Sequence, residues 1–271
     1  MGMTMLFNER IAQRFGSAVA HYDEQALAQR QSAQQLMVGQ ILQGRVLDIG
    51  CGTGWLTQQI AQQRSVDSVY ALDIAHDMLC SMYLDDDKVF KIQADASNLP
   101  IKSNSVDVVV SNFALQWLTE PSVFVGHLQR ILRQGGQFAL ALPVHGTLCE
   151  VEQAWRAVDD QPHINSFYTA EYWINLLQLQ GFTIVKQQQQ AFFQYYDSTK
   201  ELLKSLQEGI FHRFLPFCIQ QETKDVSSFF ILSFSSYCLL SLPSLSLRLQ
   251  EVCLVEVLCC LFYFICLLIS S

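Results

Sequence analysis

Basic residues are scarce in this chain: 17 Lys and Arg stand against 25 Asp and Glu, a formal net charge of −8 over 271 residues. That deficit removes the broad basic field a phosphate backbone requires, and with it a nucleic-acid partner. An apolar opening run is missing too. Glu9, Arg10 and Arg14 interrupt the first twenty residues, where a secretory signal needs unbroken apolar sequence. The chain therefore reads as a cytoplasmic monomer without a membrane partner. Metal-type cysteine spacing is also absent. Of nine cysteines only Cys51, Cys80 and Cys149 precede residue 200, with neither CxxC nor Cys/His spacing, so they read as ordinary thiols and no metal is expected.

What is present begins with helical spacing of apolar residues over 7–43, which predicts two helices broken near Gly16. From Arg45 short aliphatic runs alternate with amphipathic stretches. Strands are expected at 46–47, 69–72, 89–92, 106–110 and, after a Gly135-Gly136 turn, 137–142. Helices are expected after Gly54, through Met78 and Met82, and over 121–133. Strands separated by helices imply βαβ units and a mostly parallel sheet with helices on both faces, an α/β fold of Rossmann-like type with an N-terminal helical extension. Further helices are expected at 147–159, 169–179 and 198–207, with a strand at 182–186 between the last two.

Three regions follow: a helical cap over 1–44, the α/β domain over 45–209 and an atypical hydrophobic tail over 210–271. From 226 onward only Arg248, Glu251 and Glu256 are charged, and neither helical nor strand period is sustained. The run 252–269 has the minimum length of a membrane span, but Glu256 is costly in hydrocarbon and no basic cluster flanks the run. The Phe, Leu, Ser, Cys, Ile and Tyr that dominate share pyrimidine- or thymine-rich codons. Out-of-frame translation, leaving the segment disordered, is the preferred reading over an anchor.

The strongest chemical signal is Val46-Leu47-Asp48-Ile49-Gly50-Cys51-Gly52-Thr53-Gly54, an apolar strand ending in a GxGxG bend that opens a helix. A dinucleotide site would show GxGxxG and aim helix amides at a pyrophosphate, but position 55 is Trp55 and Asp48 precedes the loop. The ligand implied is cationic and phosphate-free, because an acid at the bend suits an ammonium and repels phosphate. Asp73 ends the second strand, placed to accept from two ribose hydroxyls. Asp95, flanked by Ala94 and Ala96, follows the third. Ser111-Asn112-Phe113-Ala114-Leu115-Gln116-Trp117 follows the fourth, at the carboxyl edge where open α/β sheets bind ligands.

These motifs resemble those of the class I methyltransferases: DIGCGTG the first motif, ALDIAHDML the ribose-binding strand end, QADASNLP the adenine-proximal loop, RILRQGGQFAL the turn into the fifth strand. The resemblance implies S-adenosylmethionine as cofactor. Gly50 and Gly52 would lie against its methionine portion, Asp73 on the ribose, Asp95 and Ala96 at the adenine, and Asn112 at the fourth strand. Asp48, Gly54, Ile74 and Met78 complete the implied cofactor set.

A narrower likeness covers residues 7–206. FGSAVAHY (15–22), QRQSA (29–33), SNFALQWL (111–118) and HGTLCEVEQAW (145–155) together are similar to the malonyl-acyl carrier protein O-methyltransferases of biotin synthesis. That family implies methylation of the free carboxylate of malonyl-acyl carrier protein or malonyl-CoA, with no catalytic base. Tyr22, Phe113, Gln116 and Trp117 are the expected acceptor wall, and Arg10, Arg14 and Arg30 the expected basic patch for an acidic carrier. Another small-molecule or quinone methyltransferase, or a truncated non-catalytic remnant, is the alternative. After KSLQEG the family closes with a glycine- and basic-rich segment and an antiparallel strand. Neither is visible here, so that final strand is expected to be missing, with 229–234 the one apolar segment able to replace it.

Overall fold

The computed structural model describes residues 2–40, 42–157, 161–162, 164–198, 200–202, 205 and 260–270. The chain divides into two compact units, one of residues 1–145, 167–190 and 264–271, the other of 146–166 and 191–263.

Five strands of the first unit run parallel: β1 (Gly44–Ile49), β2 (Val66–Asp73), β3 (Val89–Gln93), β4 (Val106–Asn112) and β5 (Leu132–Pro143). Val46, Leu47, Val69, Val109, Val110 and Phe138 are fully buried along them. Strands covered on both faces need no polar alternation, which is why they read as plain aliphatic runs. The helices α3 (Trp55–Ala61), α4 (His76–Ser81) and α5 (Pro121–Ile131) connect them. The sheet order β3-β2-β1-β4-β5 makes β1 and β4 neighbours although two strands separate them in sequence. That reversal opens a crevice at the carboxyl ends of β1 and β4, the usual ligand position in such sheets.

The expected helix break near Gly16 does not occur. Helix α1 (Gly2–Gln25) is continuous, and the interruption falls at Ala26, before α2 (Leu27–Met37). An interior glycine costs a helix only about 1 kcal/mol. Its reason here is tertiary: a Cβ on Gly16 would lie 2.5 Å from Asp77 Oδ2 at the start of α4. Gly135 and Gly136 likewise form no turn between elements. They lie within β5, where the register against β4 shifts between Val106/Leu132 and Val108/Gln137.

Beyond β5 come α6 (Cys149–Arg156), α7 (Ala170–Leu179) and β6 (Thr183–Gln194), which takes in the glutamine tract. The Thr169 hydroxyl caps α7 by accepting from Tyr172 N. Of the helix expected over 198–207, residues 198, 200–202 and 205 are described; 200–202 and 205 are helical and Ser198 is a bend before them.

The antiparallel strand expected to be missing is present. Strand β7 (Cys260–Ser270) pairs antiparallel with β5, from Gln137↔Ser270 to Pro143↔Phe264, and lies between β5 and β6. Its sequence, CLFYFICLLIS, is apolar at nearly every position and so leaves no alternating period to read. The alternative segment 229–234 and most of the tail lie outside the described residues. Among the described residues no helix is long and apolar enough to cross a membrane, and the second half of the 252–269 run is strand.

Candidate active site

At the end of β1 the backbone turns through Gly50 (φ +72°) and Gly52 (φ +55°), left-handed conformations that side chains disfavour. The amides of Gly50 and Cys51 donate to Leu72 O at 2.8 and 3.1 Å, which fastens the bend to β2. Close approach makes glycine necessary at position 50, where a Cβ would lie 2.1 Å from the Ala114 Cβ in the loop after β4. At the tip of β2, Asp73 accepts from Gly52 N on Oδ2 and from Ala75 N on Oδ1, both at 2.8 Å.

A cleft of about 760 Å³, counting its open mouth, lies over these strand ends. Its floor holds Gly50, Gly52, Asp73 and Ile74, with Met78 from α4 and Asp95 and Ala96 from the loop after β3. Phe113 and Trp117 rise from the loop after β4, and Tyr22 comes down from α1. Phe15 packs edge-on between the last two, 6.3 Å from Tyr22 and 5.9 Å from Trp117 between ring centroids.

Four expected site residues lie outside this cleft. Asp48 and Asn112 line an adjoining hollow of about 430 Å³ that shares Tyr22 and Gly50 with it. Asn112 there joins α2 to β4, accepting from Ser32 Oγ at 2.7 Å and donating to Gln29 O at 3.0 Å. Gly54 and Gln116 line neither space. Gly54 precedes α3 with φ +90°, where a Cβ would strike the Met82 side chain, and Gln116 Nε2 donates to Phe113 O at 2.8 Å.

Sequence reasoning missed Asn8 and Ile11. Asn8 Nδ2 donates to Asp95 Oδ2 at 2.5 Å, and Asn8, Ile11, Phe15 and Tyr22 form the inner face of α1. Their spacing of three, four and seven was the available signal.

Residues 47–140 match the family model described as a methyltransferase domain. Over 210 residues the chain is 34% identical to the malonyl-[acyl-carrier protein] O-methyltransferase of Alcanivorax borkumensis, covering 72% of this chain and 69% of the relative. The chain belongs to this family of methyltransferases. The corresponding protein of Methylococcus capsulatus is also 34% identical, over 71% of this methyltransferase and 72% of the relative. A Bacillus halodurans protein assigned as a methyltransferase shares the fold, with a TM-score of 0.61 at 18% identity over 89% of this chain and 98% of that one.

Burial dominates the electrostatics of this methyltransferase's site. The Asp48 carboxyl is 1% exposed, and burial, opposed by the Thr57 hydroxyl donating at 2.7 Å, raises its pKa to about 7. Burial also raises Asp73 against the backbone amides of Ala75, Gly52 and Ile74 that hold it down. The Tyr22 phenol is pushed up by burial, then by Asp73 and Asp23, and the Cys51 thiol by burial, then by Asp48 and Asp73. In each group burial is the largest cause and disfavours the charged form, and at Tyr22 and Cys51 the neighbouring carboxylates add to it.

S-adenosylmethionine fits the groups present. An ionised carboxylate has about four acceptor positions, so Asp73 keeps room for two hydroxyl donors beyond the two amides. A Cβ built on Gly52 would reach only 3.7 Å from the Tyr22 ring, so the missing side chain leaves bare backbone facing that ring.

Proposed function

We propose that this methyltransferase esterifies the free carboxylate of a malonyl group carried on acyl carrier protein, using S-adenosylmethionine as donor. The observation that carries the reading is the cleft at the sheet's reversal point. It sets the glycine bend, Asp73 and Asp95 on one side and a Phe15–Tyr22–Trp117 aromatic wall on the other. Membership in a family whose relatives are named for malonyl-acyl carrier protein supports the acceptor.

When bound, the donor supplies a methyl group already activated by positive sulfur, which an ionised carboxylate accepts without a base. A malonyl carboxylate is ionised near pH 7, as ordinary carboxylates with pKa values of about 4 are. The chain's own task is then to hold and to dry. Gly50 and Gly52 let backbone approach the donor's methionine portion, Asp73 takes the ribose hydroxyls, and Asp95, Ala96, Ile74 and Met78 hold the adenine end. Tyr22, Phe113 and Trp117 orient the acceptor and exclude water, and such positioning is worth about 7 to 11 kcal/mol. Asp48, Asn112 and Gly54 support the bend and its roof from behind. Gln116 braces the loop that carries Trp117.

The working form is a cytoplasmic monomer, malonyl-CoA is the alternative carrier of the same acceptor group, and nucleic acid plays no part. Transfer of labelled methyl from S-adenosylmethionine to malonyl-acyl carrier protein, compared with succinyl-carrier protein and malonyl-CoA, tests the proposal. Base-labile label on the malonyl carrier supports it. Absence of label there, with the donor bound, overturns the acceptor assignment.

A further inference from the structure

A carboxylate presented on a carrier reaches a cleft only at the end of an arm. In acyl carrier protein and CoA alike that arm is pantetheine, an uncharged chain of two amides and a dimethyl-substituted carbon that ends in the thioester sulfur. With the malonyl group beside Phe113 and Trp117, the remainder of the arm lies along the surface outside. The carboxyl edge of the sheet offers a path past the end of β5. Phe113 N donates to Ala141 O at 2.8 Å, and His145, exposed two residues beyond β5, donates its backbone N–H to Tyr168 O at 3.1 Å. The stretch from Ala141 to His145 spans at most about 14 Å, so Tyr168 lies near the cleft's acceptor side.

Tyr168 stands just before α7 and Tyr172 in its first turn. Their rings stack with centroids 4.2 Å apart and 13° between planes, and the buried Trp173 meets both edge-on, at 6.4 and 6.2 Å. The pair is thereby fixed, yet Tyr168 remains 42% exposed. A rigid aromatic surface of this kind receives methyl groups and amide planes with little loss of side-chain freedom. Charge argues against the carrier's own surface as the occupant. No Lys or Arg occurs between Arg156 and Lys186, whereas Asp159, Asp160 and Glu171 do. An acidic carrier is repelled by such a segment, and an uncharged arm is not.

We propose that the stacked Tyr168 and Tyr172 form the rest on which the acceptor's pantetheine arm lies between the cleft and the carrier. The proposal rests on the acceptor reading above and deepens it. What this face recognises is the arm and its length, not the carrier's surface.

The test is steady-state kinetics of the full chain and its Tyr168→Ala and Tyr168→Phe variants with three acceptors: malonyl-acyl carrier protein, malonyl-pantetheine, and malonyl-N-acetylcysteamine, whose arm stops after the first amide. Calorimetric titration with S-adenosylmethionine runs beside it. In the parent, kcat/KM for malonyl-pantetheine should exceed that for the short thioester by about tenfold. Tyr168→Ala should remove most of that preference by raising KM for malonyl-pantetheine, with a similar rise for malonyl-acyl carrier protein, and Tyr168→Phe should keep most of it. Equal loss on all three acceptors shows a merely structural role and overturns the proposal. Loss confined to malonyl-acyl carrier protein shows that the pair meets the carrier itself and overturns it too. An undiminished preference in Tyr168→Ala overturns it while leaving the acceptor reading intact. If the parent binds S-adenosylmethionine but methylates none of the three, the acceptor reading fails and the proposal falls with it.

Discussion

The amide of Gly52 donates to Asp73 Oδ2 at 2.8 Å, so the bend after β1 and the tip of β2 are held as one piece. In the proposed reading, the anchor for the donor's hydroxyls and the bare backbone for its other end therefore cannot move separately. Asp73→Asn places an NH2 group where one of two amides needs an acceptor. Donor affinity should fall roughly 10- to 100-fold, and the melting temperature by a few degrees. Titration and thermal melts of the variant check both, and unchanged affinity would remove Asp73 from the site.

The two bend glycines should fail differently. Gly50→Ala drives a methyl group into Ala114, with a Cβ separation of 2.1 Å, so the loss should be in folding, at about 3 kcal/mol or more by urea denaturation. Gly52→Ala meets only ordinary contact with Tyr22, at 3.7 Å, and adds left-handed strain of roughly 1 to 2 kcal/mol. That variant should fold and lose donor affinity instead. Equal stability loss in the two would contradict this division.

Asp48 gives the fold a pH dependence of unusual sign. Its folded pKa of about 7 lies above the ordinary carboxylate value, so between about pH 4 and 7 the folded chain holds a proton that the unfolded chain releases. The associated stability is complete below about pH 4 and is lost as pH rises through 7. Asp48→Asn keeps an acceptor for Thr57 and carries no charge. It should melt several degrees above the parent at pH 8 and converge with it near pH 4. Parallel melting curves across that range would show that Asp48 is not the titrating group.

Trp117 stands on the acceptor side of the cleft in the proposed reading. Trp117→Ala should raise KM for malonyl-acyl carrier protein roughly tenfold while leaving the donor's Kd within about threefold. Steady-state kinetics and titration separate the two, and a larger effect on donor binding would move Trp117 to the other side.

Much of this arrangement was legible in the sequence because its causes are local. Strands β1 and β4 announce themselves as aliphatic runs, since burial on both faces demands them, and GxGxG after Asp48 states a tight bend in residue types alone. The misreadings have distant causes. Gly16 carries the mark of a helix breaker, yet its reason is the Asp77 carboxylate, 61 positions away. Asn112 has the polarity of a ligand group, but Ser32 and the Gln29 carbonyl engage it from about 80 residues earlier in the chain. Strand β7 is uniform apolar sequence, and only the partner edge of β5 distinguishes it from a spanning segment or random tail.

Helix α1 touches three strand-end loops at once: Thr53 through Asp23, Asp95 through Asn8, and Trp117 through Phe15. In the proposed reading one lintel therefore spans the doorway used by both reactants. Whichever occupies the floor must be seated before the lintel settles, and it can leave only after the shallower guest has gone. Compulsory-order kinetics, with the spent nucleoside released last, is the pattern that product-inhibition plots should show.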